Sequence, residues 1–184
     1  MKVLIIDGNT GFDSKYEEYL KSFILENETS GNEVNVFTLR DLNLDYCTGC
    51  WSCWVKTPGQ CIFPDDTDLV RKEMINSQLV IFVSPLIMGY PTYLIKMVQD
   101  KMIPLVHPYI EIINGECHHE SRYKKYPQLG LLYYPESNTD DDDLNIIHDL
   151  YKRLAINFKS EMVMFENLKE IEIIKNINNE ATVN

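Results

Sequence analysis

Four closely spaced cysteines are the chain's clearest candidates for chemistry: Cys47, Cys50, Cys53 and Cys61. Their spacing is C-x2-C-x2-C-x7-C, so three thiols recur at three-residue intervals and a fourth follows a longer gap. Four thiolates can hold an iron–sulfur cluster or, with difficulty in so tight a loop, a structural zinc ion. The same residues can instead be redox thiols, or small side chains packed under Trp51. The run marks a candidate site and leaves its chemistry open.

Composition and charge limit the classes of function. The chain has 184 residues and a formal net charge of -11, which argues against partners such as nucleic acid or an anionic membrane surface. Its apolar stretches are too short to span a bilayer, and its N-terminus has the pattern of a strand and not of a signal peptide. We therefore expect a cytoplasmic protein with a single domain over residues 1–184, in which lasting disulfides are not expected.

Five apolar stretches alternate with amphipathic ones, which is typical of a parallel sheet with helical crossovers. The predicted strands are Lys2–Asp7, a strand starting at Val34, Leu79–Val83, Leu129–Tyr134 and Met162–Phe165. The predicted helices are Ser14–Glu26 with Ser14 as its cap, one starting at Pro64–Asp68, Tyr93–Met102, one starting at Thr139–Asp143 and a short Lys169–Ile177. The fold class is α/β, and ligands of such sheets bind at the carboxyl ends of the strands.

The stretch from Pro104 to Pro127 has no clear periodicity of apolar residues. It is interpreted as a long excursion between the helix Tyr93–Met102 and the strand Leu129–Tyr134. It contains Cys117, His118 and His119, which together suggest a metal site. Adjacent side chains rarely face one ion, so a surface loop is the preferred interpretation. The four aspartates at 140–143 are interpreted as acids that stabilise the positive end of a helix dipole.

A segment that follows the third predicted strand resembles the flavin-contacting segment of the flavodoxin-like NAD(P)H-dependent FMN reductases. It consists of Ser84, Pro85, Leu86, Ile87, Met88 and Gly89, with the helical Leu94–Lys96 and the pair Asp100–Lys101 behind it. The cysteine run with Pro58–Gly59 and Asp65–Asp66 resembles a branch of that family related to iron–sulfur flavoproteins. The resemblance implies a flavodoxin-like three-layer sandwich with a five-stranded parallel sheet in the order 2-1-3-4-5. It also implies bound FMN and, in the cysteine-motif branch, a candidate [4Fe–4S] cluster on the four cysteines.

The resemblance is weakest in the loop after the first strand, where the family holds the FMN phosphate at a helix N-terminus. Here Asn9, Thr10, Ser14 and Lys15 are suitable donors. Asp13 is unsuitable, because a carboxylate repels a phosphate, and it can instead cap the helix. FMN affinity is then reduced, or the phosphate is held in another way.

Large aromatic residues surround the expected position of the flavin ring. Trp51, Trp54, Tyr90 and Tyr93 can stack on the ring or fill the small core beneath a long loop. Tyr134, with the turn Pro135–Ser137, is expected to reach the flavin from the other side.

The sequence thus predicts an FMN-binding oxidoreductase that takes hydride from NAD(P)H and passes electrons to a small-molecule acceptor such as a quinone or free flavin. The flavin does the chemistry, so no catalytic side chain is expected. Two alternatives remain: a flavodoxin-like or iron–sulfur electron carrier, and an interaction domain that binds no flavin. A homodimer is expected from the family, with Pro104–Pro127 as its contact. The basic residues Arg122, Lys124 and Lys125 either attract the NADPH phosphate or line that contact.

Overall fold

The computed structural model of the chain describes residues 1–171, and the predicted helix Lys169–Ile177 lies outside them from residue 172 onward. The strands are β1 (Lys2–Asp7), β2 (Glu33–Thr38), β3 (Leu79–Ile87), β4 (Tyr90–Pro91), β5 (Val106–Ile113), β6 (Glu116–Ser121), β7 (Gln128–Tyr134) and β8 (Met162–Asn167). The helices are α1 (Ser14–Thr29), α2 (Ser52–Val55), α3 (Thr67–Ile75), α4 (Tyr93–Asp100) and α5 (Asp141–Asn157).

Five parallel strands form the main sheet in the order β2-β1-β3-β7-β8. The predicted flavodoxin-like fold and its strand order are therefore confirmed. The central strands β1 and β3 are apolar and buried on both sides, as a sheet covered by helices requires. The order reverses between β1 and β3, so the loops after these two strands leave the sheet in opposite directions.

Helices cover both faces of this sheet and complete the three layers. Alternate residues of the strands point to opposite faces, so Leu4 and Phe82 join one core while Val3 and Ile81 join the other. The first core also takes buried residues of α3, α4 and α5, and the second takes those of α1.

The stretch Pro104–Pro127 is not the irregular excursion that we predicted. It contains the antiparallel hairpin β5–β6, which is separate from the main sheet. Its turn residues Asn114 and Gly115 have φ of 52° and 83°, which is the geometry that Asn-Gly favours in a two-residue hairpin turn. This dipeptide was the signal in the sequence that could have revealed the hairpin.

Two predicted boundaries shift and one is confirmed. The N-cap of α1 is Asp13, whose carboxylate accepts hydrogen bonds from the N–H groups of Lys15 and Tyr16, so the prediction of Ser14 as cap is wrong and the alternative, Asp13, is confirmed. Helix α3 begins at Thr67, within the predicted start Pro64–Asp68. Strand β3 continues to Ile87, four residues beyond the predicted end, because its last residues pair with β4 through a second two-residue turn.

Candidate functional site

The loops after β1 and β3 are joined at the carboxyl edge of the sheet. The Thr92 hydroxyl donates to the Gly8 carbonyl at 2.6 Å, and the Thr92 N–H donates to the Ser84 hydroxyl at 3.0 Å. A Cβ at Gly8 would lie 2.4 Å from the Ile95 side chain, so only glycine fits where the loop passes α4. These contacts place the two loops side by side at the point where the strand order reverses.

The end of β1 is held by the buried carboxylate of Asp7. It accepts hydrogen bonds from the Tyr16 hydroxyl at 2.7 Å and from the Asn9 N–H at 3.0 Å, and Arg40 Nη1 lies 3.6 Å away. Burial raises the pKa of Asp7 above its ordinary value, although these hydrogen bonds and Arg40 oppose the rise. The Asn9 side chain is itself buried and accepts from the Gly11 N–H at 3.2 Å. Asn9 therefore shapes the loop from within.

The predicted phosphate donors lie at the N-terminus of α1. Thr10, Ser14 and Lys15 are exposed there. The Asp13 carboxylate, however, already accepts from the Lys15 N–H at 2.9 Å and from the Tyr16 N–H at 3.3 Å. It occupies the position in which a phosphate would use the bare N–H groups of the helix. The side chains fit a phosphate, but the helix N-terminus does not while Asp13 caps it.

The turn after β3 presents apolar side chains to solvent. Met88 and Gly89 form its two central residues with φ of 53° and 72°. Met88 is 91% exposed and Ile87 is 48% exposed. The Met88 N–H donates to the Glu136 carboxylate at 2.9 Å, and a Cβ at Gly89 would lie 2.3 Å from Asp143 Oδ1. The turn is thus fixed from behind by the loop after β7 and by the start of α5.

The preceding residues of the predicted flavin segment lie deeper. Ser84 and Leu86 are buried, and the Ser84 hydroxyl donates to the Pro85 carbonyl at 2.8 Å. Pro85 itself is partly exposed. In this arrangement, Ile87, Met88 and Gly89 are the part of the segment that a ligand can reach.

The loop that carries the four cysteines, residues 45–66, is called the cysteine loop. Its two tryptophans stack on each other and have different surroundings. Their ring centroids are 5.0 Å apart. Trp54 Nε1 donates to the carbonyls of Ile103 and Val106 at 3.1 and 3.0 Å, so Trp54 joins the loop to the base of the hairpin. Trp51 lies above it, is 54% exposed and has a φ of 59°. Trp54 is a packing residue, whereas Trp51 is available to a ligand.

Tyr134 packs toward α1. Its ring meets the Tyr16 ring edge-on at 5.6 Å, and Lys169 Nζ lies 4.5 Å from its centroid. The side chain therefore flanks the carboxyl edge on the α1 side, apart from the Met88–Gly89 turn.

The four cysteines line one small pocket together with Lys101 and Ile103. Burial raises the pKa of the Cys53 thiol, and the neighbouring Cys61 and Cys47 add to the rise. Hydrogen bonds from Ser52 and Thr48 instead lower the pKa of Cys50. The cavity is about 30 Å³, the room of a water molecule or two.

A buried ion pair lies behind this pocket. Lys101 Nζ is 2.5 Å from Asp65 Oδ2, and their side chains are 2% and 0% exposed. Burial alone would raise the pKa of Asp65, but Lys101, Thr67 and the Asp45 N–H together hold it below its ordinary value. Arg71 Nη1 donates to the Lys101 carbonyl at 3.0 Å. The cysteine loop is thus held in place by the buried ion pair between Asp65 and Lys101.

Within residues 1–171, no three His, Cys, Asp or Glu side chains converge closely enough to hold one metal ion. This geometry does not support a zinc site at the cysteines or at Cys117–Glu120. A polynuclear cluster separates its thiolates further than a single ion does, and four cysteines are the full ligand set of such a cluster. The thiols fit that group in number and chemistry, but the pocket must widen, and the exposed Cys47 and Cys50 are the ligands with room to move.

The fold defines a flavodoxin-like protein whose edge loops meet at the reversal of strand order, and comparison with known proteins agrees on the fold. The family model described as NADPH-dependent FMN reductase matches residues 1–107, which is more than half of the chain. The chain belongs to this family of flavin-dependent oxidoreductases. Among residues 1–171, no helix has the length and the apolar character needed to cross a membrane.

Similar proteins include two named iron–sulfur flavoproteins. That of Archaeoglobus fulgidus is 32% identical over 107 residues, which are 58% of this chain and 48% of the relative. That of Methanocaldococcus jannaschii is 30% identical over 105 residues, 57% of this chain and 53% of the relative. The chain spans about half the length of these relatives. The solved NAD(P)H:quinone oxidoreductase of Methanothermobacter marburgensis superposes with a TM-score of 0.64 at 12% identity, over 97% of this chain and 89% of that one. This likeness concerns the fold alone.

Proposed function

We propose that the protein binds FMN at the carboxyl edge of its sheet and transfers electrons from NAD(P)H to a small-molecule acceptor. The site is the reversal of strand order between β1 and β3, where open α/β sheets bind their ligands. When bound, FMN supplies the two-electron chemistry, and the protein binds and orients the reactants.

The observation that carries the proposal is strain at two exposed apolar residues. Trp51 and Met88 have φ of 59° and 53°, a left-handed conformation that costs roughly 1–2 kcal/mol for a residue with a side chain. Both side chains are large and lie largely in solvent. Strained residues of this kind are found preferentially at active and ligand-binding sites, where the surrounding structure holds them in place. A flat, largely apolar flavin ring is a ligand that Trp51, Ile87 and Met88 are suited to cover.

The polar end of the cofactor is assigned to the loop after β1. Thr10, Ser14 and Lys15 would hold the phosphate through hydroxyl groups and an ammonium group. Asp13 opposes it, since its carboxylate occupies the helix N-terminus. Tyr134 would limit the site on the α1 side.

The proposal is tested on the full chain purified without oxygen, loaded with FMN and desalted. We expect a flavin absorption spectrum and steady NADH or NADPH oxidation with a quinone as acceptor. A protein that retains flavin but shows no turnover would be an electron carrier. A colourless protein after desalting would contradict FMN binding and favour the interaction domain.

A second proposal concerns the cysteine pocket. We propose that Cys47, Cys50, Cys53 and Cys61 hold a [4Fe–4S] cluster, which would make the chain an iron–sulfur flavoprotein. Its support is that all four cysteines line one pocket, together with the names of the two relatives. The Lys101–Asp65 pair would keep the floor of the pocket fixed while the outer part of the loop opens.

Cys117 offers a matched control for this cluster, because it is an exposed thiol on the hairpin, away from the pocket. Iron and sulfide are measured after anaerobic reconstitution of the wild type, Cys53→Ser and Cys117→Ser. We expect about four iron atoms per chain in the wild type and Cys117→Ser, and a large loss in Cys53→Ser. Equal iron in all three proteins, or none in the wild type, would rule the cluster out.

We also propose that the hairpin mediates a homodimer, as the family resemblance implies. Its support is the exposed apolar surface of β5, where Tyr109, Ile110 and Ile112 are each more than half exposed. Light scattering on the wild type and on Ile112→Glu tests it. A dimer that becomes a monomer in the variant is expected, and a monomeric wild type would contradict the proposal.

A further inference from the structure

Trp54 has ring contacts with two other side chains, Trp51 in the cysteine loop and His119 on β6. The centroids of the two indole rings are 5.0 Å apart with 29° between their planes, and the His119 centroid is 4.9 Å from that of Trp54. These distances are typical of aromatic pairs that attract each other. The Trp54 N–H donates to the Trp51 carbonyl at 3.0 Å, and this turn brings two side chains three residues apart to one side of the chain.

The hairpin side of this group of rings is held by hydrogen bonds. Trp54 Nε1 donates to two carbonyls at the base of the hairpin, at 3.1 and 3.0 Å. The backbone of His119 is bonded to the end of α5, because its N–H donates to Asn157 Oδ1 at 2.9 Å and its carbonyl accepts from Lys159 Nζ at 2.6 Å. The Trp54 ring is therefore fixed both by its own donor and by the strand that it contacts.

The outer ring, that of Trp51, is held on one side only. Its side chain is 54% exposed, and its φ of 59° is unusual for any residue other than glycine. A tryptophan that moves freely in solvent has to be ordered when a ligand binds, and this ordering weakens binding. Because Trp51 is already stacked on a fixed ring, part of that loss is avoided before a ligand arrives.

We propose that Trp54 is a positioning residue for FMN, which holds the Trp51 ring ready to stack on the flavin ring. The inference rests on the proposed function and adds to it a residue that acts through another side chain. It also gives the hairpin a part in the FMN site, although the hairpin is separate from the main sheet. The support runs from α5 through His119 and Trp54 to Trp51.

The experiment compares FMN titrations of the full chain with Trp54→Leu and Tyr126→Leu. The two variants are matched, because Tyr126 is also an aromatic residue whose donor, its hydroxyl, bonds the base of the hairpin, at the Leu105 carbonyl and a distance of 2.5 Å. Trp54→Leu should weaken FMN binding about 3- to 10-fold, the effect of ordering one large side chain. Tyr126→Leu should lower the thermal midpoint and leave the FMN affinity unchanged. If the leucine variants do not fold, Trp54→Phe and Tyr126→Phe should show the same contrast with a loss of about twofold.

A second measurement follows the contact between the rings. An indole that touches a flavin quenches its fluorescence, and the chain has only two tryptophans. The fluorescence lifetime of bound FMN should be short in the wild type and in Tyr126→Leu. It should be longer in Trp51→Phe, and Trp54→Leu should contain a long-lived fraction in addition to the short one.

The outcomes separate this inference from the function on which it rests. A wild type that binds no FMN contradicts the proposed function and the inference together. If the wild type binds FMN, the role of Trp54 alone is overturned by any of three results. These are a Trp54→Leu protein that binds and quenches FMN like the wild type, a Tyr126→Leu protein that loses as much affinity, and a Trp51→Phe protein in which neither quantity changes.

Discussion

Two buried aspartates at the carboxyl edge, Asp7 and Asp65, have opposite electrostatic environments. Both side chains are essentially inaccessible. The cation nearest to Asp7 is Arg40 at 3.6 Å, whereas Lys101 lies 2.5 Å from Asp65. Burial dominates for Asp7 and raises its pKa, while the closer cation and more numerous donors lower the pKa of Asp65. The distance to the cation and the number of donors decide which effect wins.

This difference shows how the two loops suit their proposed ligands. In the cysteine loop, the Asp65 carboxylate is paired with Lys101 behind the pocket, so its charge does not oppose a ligand of the thiols. The loop after β1 has carboxylates on the ligand side, where Asp13 competes directly with a phosphate. The cysteine loop is therefore held by a buried ion pair, whereas the loop after β1 should bind a phosphate more tightly once the charge of Asp13 is removed.

The largest effect is expected from isosteric substitution of the two aspartates. Asp65→Asn leaves the Lys101 ammonium buried without a counter-charge at 2.5 Å, so it should lower the free energy of unfolding by about 3–5 kcal/mol. Asp7→Asn keeps an acceptor for Tyr16 and relieves a buried charge, so it should change stability by less than about 1 kcal/mol. Urea unfolding of both variants at neutral pH measures the contrast. Equal losses would mean that Arg40 pairs Asp7 as strongly as Lys101 pairs Asp65.

The pH dependence of stability separates the same two residues by sign. The pKa of Asp65 is lowered in the folded state, so its contribution is present above the ordinary value of 3.8 and is lost as the pH falls through the folded pKa. The pKa of Asp7 is raised, so its contribution is lost as the pH rises from 3.8 through the folded pKa. The free energy of unfolding is measured across acidic pH. Compared with the wild type, Asp65→Asn should lose less stability as the pH is lowered, and Asp7→Asn should lose less stability as the pH is raised. A change of the same sign in both variants would contradict the contrast.

A smaller effect is expected for FMN affinity in Asp13→Asn. Asparagine caps a helix about as well as aspartate does, so α1 should remain intact while the charge beside the phosphate is removed. We expect FMN to bind about fivefold more tightly, the effect of one like charge near the surface. Titration followed by flavin fluorescence measures it, and an unchanged thermal midpoint of the apoprotein shows that the cap is kept. An unchanged affinity would place the phosphate elsewhere.

The smallest effect is expected at the turn after β3. Met88→Asn creates the Asn-Gly sequence that this turn geometry favours, so it should stabilise the fold by up to about 1 kcal/mol. The same change removes an apolar contact and should weaken FMN binding. Asn114 already occupies the equivalent position in the hairpin turn, and Asn114→Met is the reverse control: it should destabilise the fold without affecting FMN. A Met88→Asn protein that gains stability and keeps its FMN affinity would show that the left-handed conformation of Met88 does not contribute to FMN binding.

The sheet could be predicted from the sequence because its central strands are nearly continuous apolar runs. Lys2–Asp7 and Leu79–Val83 are buried on both faces, and alternation with helices determines parallel pairing. The hairpin was missed because β5 exposes apolar residues such as Tyr109 and Ile112, which gives no alternating pattern. Asn114–Gly115 was the local signal for it.

The candidate site could be predicted only in part. The cysteines follow β2 and the Met88–Gly89 turn follows β3, so sequence order alone places them at the carboxyl edge of the sheet, although Ser84–Ile87 turned out to lie within β3. The pairing of Asp65 with Lys101 joins residues that are 36 positions apart, and only packing brings them together. Which of Asp13 and Ser14 caps α1 is a choice between two good capping residues, and a shift of one position decides whether the helix can accept a phosphate.

Helix α5 has a mechanical role that follows from two of its contacts. Its first turn supports the Met88–Gly89 turn through Asp143, and eight residues further on Tyr151 packs edge-on against Phe82 of β3 at 5.5 Å. Those eight residues span about 12 Å of one helix. A movement of the turn therefore has to be absorbed at Asp143 or transmitted along α5 to the core at Phe82, so the turn and the packing of the core constrain each other through this helix.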